Sequence, residues 1–112
     1  MSKRAYLGEF EQMVLLAILR LRDEAFGPGV AQELEHKAGR QVSRGALYAT
    51  LERLERKGLL EWEIEAATSA TKGNRRRRFT VTAAGIEQLA AARETLVGMW
   101  EGIEDVLRRR AT

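Results

Sequence analysis

Cysteine is absent from this 112-residue sequence, which excludes disulfides and thiolate metal sites. A single histidine, His36, stands between Glu35 and Lys37; that leaves neither an imidazole cluster for a metal nor the acid–base pair that most hydrolases need. His36 itself reads as a surface or cap residue. Long apolar runs are also missing. The longest, residues 13–19, is far shorter than the roughly 20 residues of a membrane span. The first residues are polar and basic, and the stretch 10–21 is interrupted by charge, so no secretory leader is expected and the expected setting is the cytoplasm. No Walker loop, dinucleotide fingerprint or nucleophile triad occurs. The carboxylate pairs Glu9/Glu11 and Glu104/Asp105 have no histidine, lysine or pocket to work with. Neither catalysis, a cofactor nor a metal is expected.

What is present suits one folded domain: 45% apolar and 31% charged residues in a length that supports a single core. The formal charge of +3 is unevenly spread. Residues 36–78 hold eleven Lys/Arg against five Asp/Glu, a net of +6, and the other 69 residues hold eight against eleven, a net of −3. A localised basic segment points to a polyanionic partner more than to general solubility.

Hydrophobic periodicity orders the chain. Residues 10–21 are apolar nearly all round, so the helix they form needs cover on more than one side, and a second subunit could supply it. Gly27-Pro28 opens a second helix with proline at a tolerated position, and Gly39 ends it. Ser43 is a plausible N-cap for a third helix running to Lys57, with Leu47, Leu51 and Leu54 on one face and Gly58 as the stop. Two short helices around a tight turn, the second basic, make a helix-turn-helix.

The period then switches to two. Leu60, Trp62 and Ile64 alternate with Glu61, Glu63 and Glu65 in a half-buried strand. After a polar loop, a second strand directs Phe79 and Val81 inward and Arg76, Arg78 and Thr80 outward. This hairpin is the wing of a winged helix, so the expected class is mainly α, an α+β winged helix. Thr82 caps a last helix expected to reach about Leu107. Its residues Ile86, Leu89, Leu96, Trp100, Ile103 and Leu107 follow spacings of three and four, with only Arg93 breaking the series, which is the seam of a helix pair. Residues 1–81 are thus expected to bind DNA and residues 82–112 to dimerise, together as one compact unit.

The residues also resemble a known family. Leu7-Gly8-Glu9-Phe10-Glu11 with its apolar helix, Val42-Ser43-Arg44-Gly45-Ala46-Leu47-Tyr48 with Lys57-Gly58-Leu59, and Gly73-Asn74-Arg75-Arg76-Arg77-Arg78-Phe79 with Val81-Thr82-Ala83-Ala84-Gly85 resemble the PadR family of bacterial transcription regulators. The match runs in order over nearly the whole chain and is similar to the short members, which have a single C-terminal helix. Pro28-Gly29 and Asn74 depart from the usual pattern without touching the third helix. The resemblance implies a homodimeric, double-stranded-DNA-binding repressor of a nearby gene, and some members answer to small aromatic effectors.

Ser43, Arg44, Gly45 and Tyr48, at the start of the third helix, are the candidate readers of operator DNA. The alternatives are a plain N-cap for Ser43, packing relief for Gly45 and a half-buried ring for Tyr48. Lys72, Arg75 and Arg76 are placed by the loop to reach phosphate or minor groove. Arg53 and Arg56, further along the third helix, rank below them, as does Arg78, because cross-strand pairing with Glu61, Glu63 or Glu65 would occupy outward wing arginines. Trp100, flanked by Gly98 and Gly102, is either a large seam anchor or the wall of an effector site between subunits. The competing function is a dimeric winged helix that grips an acidic protein partner. RNA reading lacks a stacking platform.

Overall fold

A computed structural model describes residues 7–66, 73 and 75–110. Helix α1, Glu9–Leu21, ends in a single 3-10 turn, Arg22–Glu24; α2, Gly27–Ala38, and α3, Arg44–Arg56, complete the helix-turn-helix. Strands β1, Leu60–Glu65, and β2, Arg76–Val81, form the wing, and α4, Ala83–Trp100, and α5, Asp105–Arg109, close the chain. Each expected boundary signal has its atomic counterpart at the front of the fold. Pro28 sits in the first turn of α2, where a missing N–H costs nothing, and Gly39 caps it in the left-handed conformation. Ser43 Oγ accepts the Ala46 N–H at 3.1 Å.

The core gathers one face from each of the first three helices and from the wing. Val14, Leu15 and Ile18 of α1 meet Val30 and Leu34 of α2 and Leu47, Leu51 and Leu54 of α3. Leu59, Leu60, Phe79 and Val81 cover it from the wing side. Burying a leucine or valine of this kind stabilises by roughly 1.5–3 kcal/mol, so three short helices suffice to hold the body. As its composition implied, α1 is apolar on a further side, where Leu16 and Leu19 lie exposed.

One charged group lies inside this core. Glu11 on α1 is buried, and its carboxylate accepts hydrogen bonds from Lys57 Nζ at 2.8 Å, Arg53 Nε at 3.0 Å and the Gly8 N–H at 3.0 Å. Burial works against its charge and would raise its pKa, but the hydrogen bonds from Lys57, Gly8 and Arg53 prevail and hold it below the ordinary value. The network ties the start of α1 to the end of α3. Glu11→Gln keeps the shape while stranding two cations, and a loss of about 2 kcal/mol is expected, moderated by the solvent access of Arg53 and Lys57. Because the folded-state pKa is depressed, this contribution is full above the unfolded value of about 4.3 and fades as pH falls through the folded value. Denaturant melts should therefore show wild type and Glu11→Gln converging below about pH 4; a constant gap down to pH 3 would contradict the assignment.

In the wing the antiparallel register pairs Leu60 with Val81, Trp62 with Phe79 and Ile64 with Arg77 on one face. Leu60, Phe79 and Val81 are buried and Trp62 is half-buried, but Ile64 is 51% exposed. The expected alternation is correct, while burial ends with Trp62 because the hairpin runs on past the body. The hairpin is moored at its base, where the Phe79 N–H donates to the Ala25 carbonyl at 2.9 Å and Phe26 bridges to Arg78.

Helix α4 begins as expected, with Thr82 Oγ1 accepting the Gly85 N–H at 3.1 Å and donating to the Gly58 carbonyl at 2.7 Å. Its end corrects the sequence reading. The last helix does not continue to Leu107 but stops at Trp100, and α5 starts afresh at Asp105. Gly102 carries φ +88°, a conformation that costs other residues about 1–2 kcal/mol, and its N–H donates to Glu104 Oε1 at 2.9 Å. A regular seam therefore runs only as far as Trp100, with Ile103 in the turn and Leu107 on α5. Beyond Ala92, α4 leaves the body and every residue to Arg110 is exposed. The Cα radius of gyration, 16.6 Å, exceeds the roughly 13 Å of a compact chain of this length. The protomer is a body with a projecting arm, not the compact unit expected.

Candidate nucleic-acid interface

The start of α3 presents a narrow, open surface. Leu47, Leu51 and Leu54 face the core, which turns Ser43, Arg44, Gly45 and Ala49 outward, all exposed. Around Gly45 no atom lies within 4 Å of where a Cβ would stand, so packing relief does not explain this glycine. Among the described residues nothing fills the space before it. Ser43 is the N-cap in fact, and its cap bond leaves the exposed hydroxyl oxygen at the helix entrance.

Tyr48 has the half-buried ring expected as its alternative role. Its ring is half-buried against the core, and its hydroxyl lies against Gly27, where a Cβ would approach to 2.0 Å. That contact explains a glycine at the start of α2. The Arg44 guanidinium stands 5.5 Å from the Tyr48 ring centroid, a cation–π arrangement worth about 0.5–1 kcal/mol at an exposed site. Both residues border a crevice between the starts of α2 and α3, together with Pro28 and Val42.

The wing sorts its arginines by strand alternation. Arg75, just ahead of β2, is exposed. Arg76 is not a free wing-tip cation: it pairs with Glu65 at 3.2 Å, and its guanidinium lies 3.7 Å from the Phe26 ring centroid with Nε buried. These contacts moor Arg76 to the body and to Glu65. Arg78 pairs with Glu63, which strengthens its hold on its proton, as the cross-strand reading anticipated. Arg77, to which the sequence assigned no role of its own, lies on the other face, 4.5 Å from the Trp62 ring centroid. The signal for it was present in the alternation of the run, which distance from the loop obscured. Lys72 lies outside the described residues.

Of the remaining candidates, Arg53 serves Glu11, whereas Arg56 is exposed. His36 is exposed, and no metal-binding cluster occurs among the described residues. Ile86, Leu96, Trp100, Ile103 and Leu107 are exposed and Leu89 is half-buried. No helix among the described residues is long and apolar enough to cross a membrane.

Comparison with known proteins matches this geometry. The family model described as the transcriptional regulator PadR-like family covers residues 15–91. A PadR-like transcription factor from Bacteroides fragilis is similar in structure, with TM-score 0.68 and 26% identity over 87% of this chain and 88% of that one. A PadR family transcriptional regulator from Eggerthella lenta gives 0.65 and 25%, covering 88% and 86%. A PadR-like transcriptional regulator from Bacillus cereus gives 0.69 and 23%, covering 88% and 90%. Among curated proteins no relative matches the sequence.

Proposed function

Since the chain belongs to the PadR-like family of transcriptional regulators, a family of regulators and not of enzymes, we propose that it acts in the cytoplasm as a homodimeric, sequence-specific binder of double-stranded DNA and represses a gene near its operator. The observation that carries this reading is the vacant, slim start of α3, where exposed Ser43, Arg44, Gly45 and Ala49 project beside a wing bearing exposed Arg75 and Arg77. A helix entering the major groove presents those positions to base edges and phosphates. Dimerisation sets two such helices on one duplex. The exposed Leu96 and Trp100 of α4 and Leu16 and Leu19 of α1 are the surfaces it would cover, and Trp100 acts there as an apolar anchor.

A two-fold dimer implies a pseudo-palindromic operator with half-sites near one helical turn apart, roughly 10 bp. Selection of bound fragments from the source genome would identify it. On the selected duplex, Arg44→Ala is expected to bind about 10- to 100-fold more weakly, the range for one good guanidinium contact, with less loss on random duplex. Equal binding of both duplexes by Arg44→Ala and wild type would remove α3 from the recognition role. Indifference of wild type to any duplex at low salt would favour the acidic-protein partner.

A further inference from the structure

The three successive arginines of β2, Arg76 to Arg78, are two chemically distinct sets. Strand pairing places Arg76 and Arg78 on the outer face, where Glu65 and Glu63 neutralise them. Arg77 is opposite Ile64 on the inner face, and among the described residues it makes no ion pair. Its guanidinium is laid over the Trp62 ring instead. Stacking covers one face of the guanidinium and leaves its in-plane N–H donors open to solvent, so the side chain is oriented without its hydrogen-bonding capacity being used. Arg77 also lines a crevice shared with Tyr48 of α3, and Tyr48 is the ring beside which Arg44 stands. Arg44, Tyr48, Trp62 and Arg77 thus form a row across α3 and wing, a cation at each end and two rings between. Glu52 and Glu55 line the same crevice and repel a polyanion, which leaves Arg77 as the attracting group there.

We propose that Arg77 is the wing's contact with the DNA backbone, donating to phosphate oxygens from a position held by Trp62. The proposal rests on the DNA-binding reading above and deepens it, moving the wing's grip from Arg76 to Arg77. A phosphate contact carries no sequence information, so losing it should weaken all duplexes alike. It should also lower the salt dependence, by about 0.9 in the log–log slope for each lost contact.

The test is fluorescence anisotropy across a salt series, on the selected operator and on a random duplex, with wild type, Arg77→Ala, Arg77→Lys and Arg78→Ala. Arg77→Ala is expected to bind both duplexes roughly tenfold more weakly, with the reduced slope. Arg77→Lys should recover the slope and only part of the affinity, because the charge returns without the stacked plane. Arg78→Ala should stay within about threefold of wild type. In a Trp100→Phe background the Trp62 emission should change on DNA binding, and that change should vanish when Arg77 is also replaced. Should Arg77→Ala fold poorly, Arg77→Gln supplies the same comparison.

Wild-type affinity and slope in Arg77→Ala would overturn the proposal while leaving DNA binding intact. A loss confined to the operator with an unchanged slope would make Arg77 a base reader and overturn it too. Failure of wild type itself to bind any duplex would remove the DNA-binding reading and this contact with it.

Discussion

With the proposed homodimer as the starting state, Leu96→Arg is expected to yield monomer at micromolar concentration. Leu96 is 56% exposed on the stretch of α4 beyond Ala92, where every described residue is exposed, and Val97, Met99 and Trp100 beside it are exposed as well. An exposed apolar surface of this kind marks an interaction site. Each buried side chain of the seam would contribute at about 25 cal/mol per Å2. A two-fold seam meets every substitution twice, so two guanidinium groups would be desolvated close to one another. The dissociation constant should rise at least a hundredfold, equivalent to about 3 kcal/mol. The body should survive, since Leu96 takes no part in its core. Sedimentation velocity checks this: an unaltered dimer in Leu96→Arg would place the interface elsewhere.

Gly85→Val is expected to cost about 3 kcal/mol, by pushing α4 off the body. A Cβ at Gly85 would stand 2.4 Å from the Leu59 carbonyl oxygen and 2.6 Å from Val81 Cγ1. The carbonyl cannot retreat cheaply, because it also accepts the Thr82 N–H at 3.1 Å. This approach and the half-buried Leu89 hold the start of α4 on the body. Gly45→Ala is the control: its Cβ meets nothing, and a helical alanine should leave stability equal or up to about 1 kcal/mol higher. Denaturant midpoints decide the matter, and a Gly85→Val protein melting with wild type would show that the helix can shift freely.

The front of the fold was legible because its signals are local. Pro28, Gly39, Ser43 and Thr82 act within one turn of themselves, and Leu47, Leu51 and Leu54 declare a face by spacing alone. The end of the last helix was not legible. An apolar spacing that continues through Ile103 and Leu107 hides a break whose cause is the backbone preference of Gly102, strengthened by a bond to Glu104. The arginines divide similarly. Arg78 was readable from strand alternation, whereas Arg53 depends on Glu11, distant in sequence and buried by tertiary packing. The mooring of Arg76 is hidden for the same reason, since Phe26 reaches it from far along the chain. Arg77 required the register of the hairpin together with Trp62 across from it. Spacing along the chain finds elements and caps; partners far along the chain decide which cations remain available for a ligand.

The central claim is that two protomers present their α3 helices and wings to one duplex. Its most direct test is a stoichiometric titration of a selected genomic duplex, followed by sedimentation at low and moderate salt. The account predicts a saturating complex of two chains per duplex, protection of two half-sites about one turn apart, and affinity falling steeply with salt. A complex with one chain per duplex, or no complex with any duplex at low salt, would contradict it.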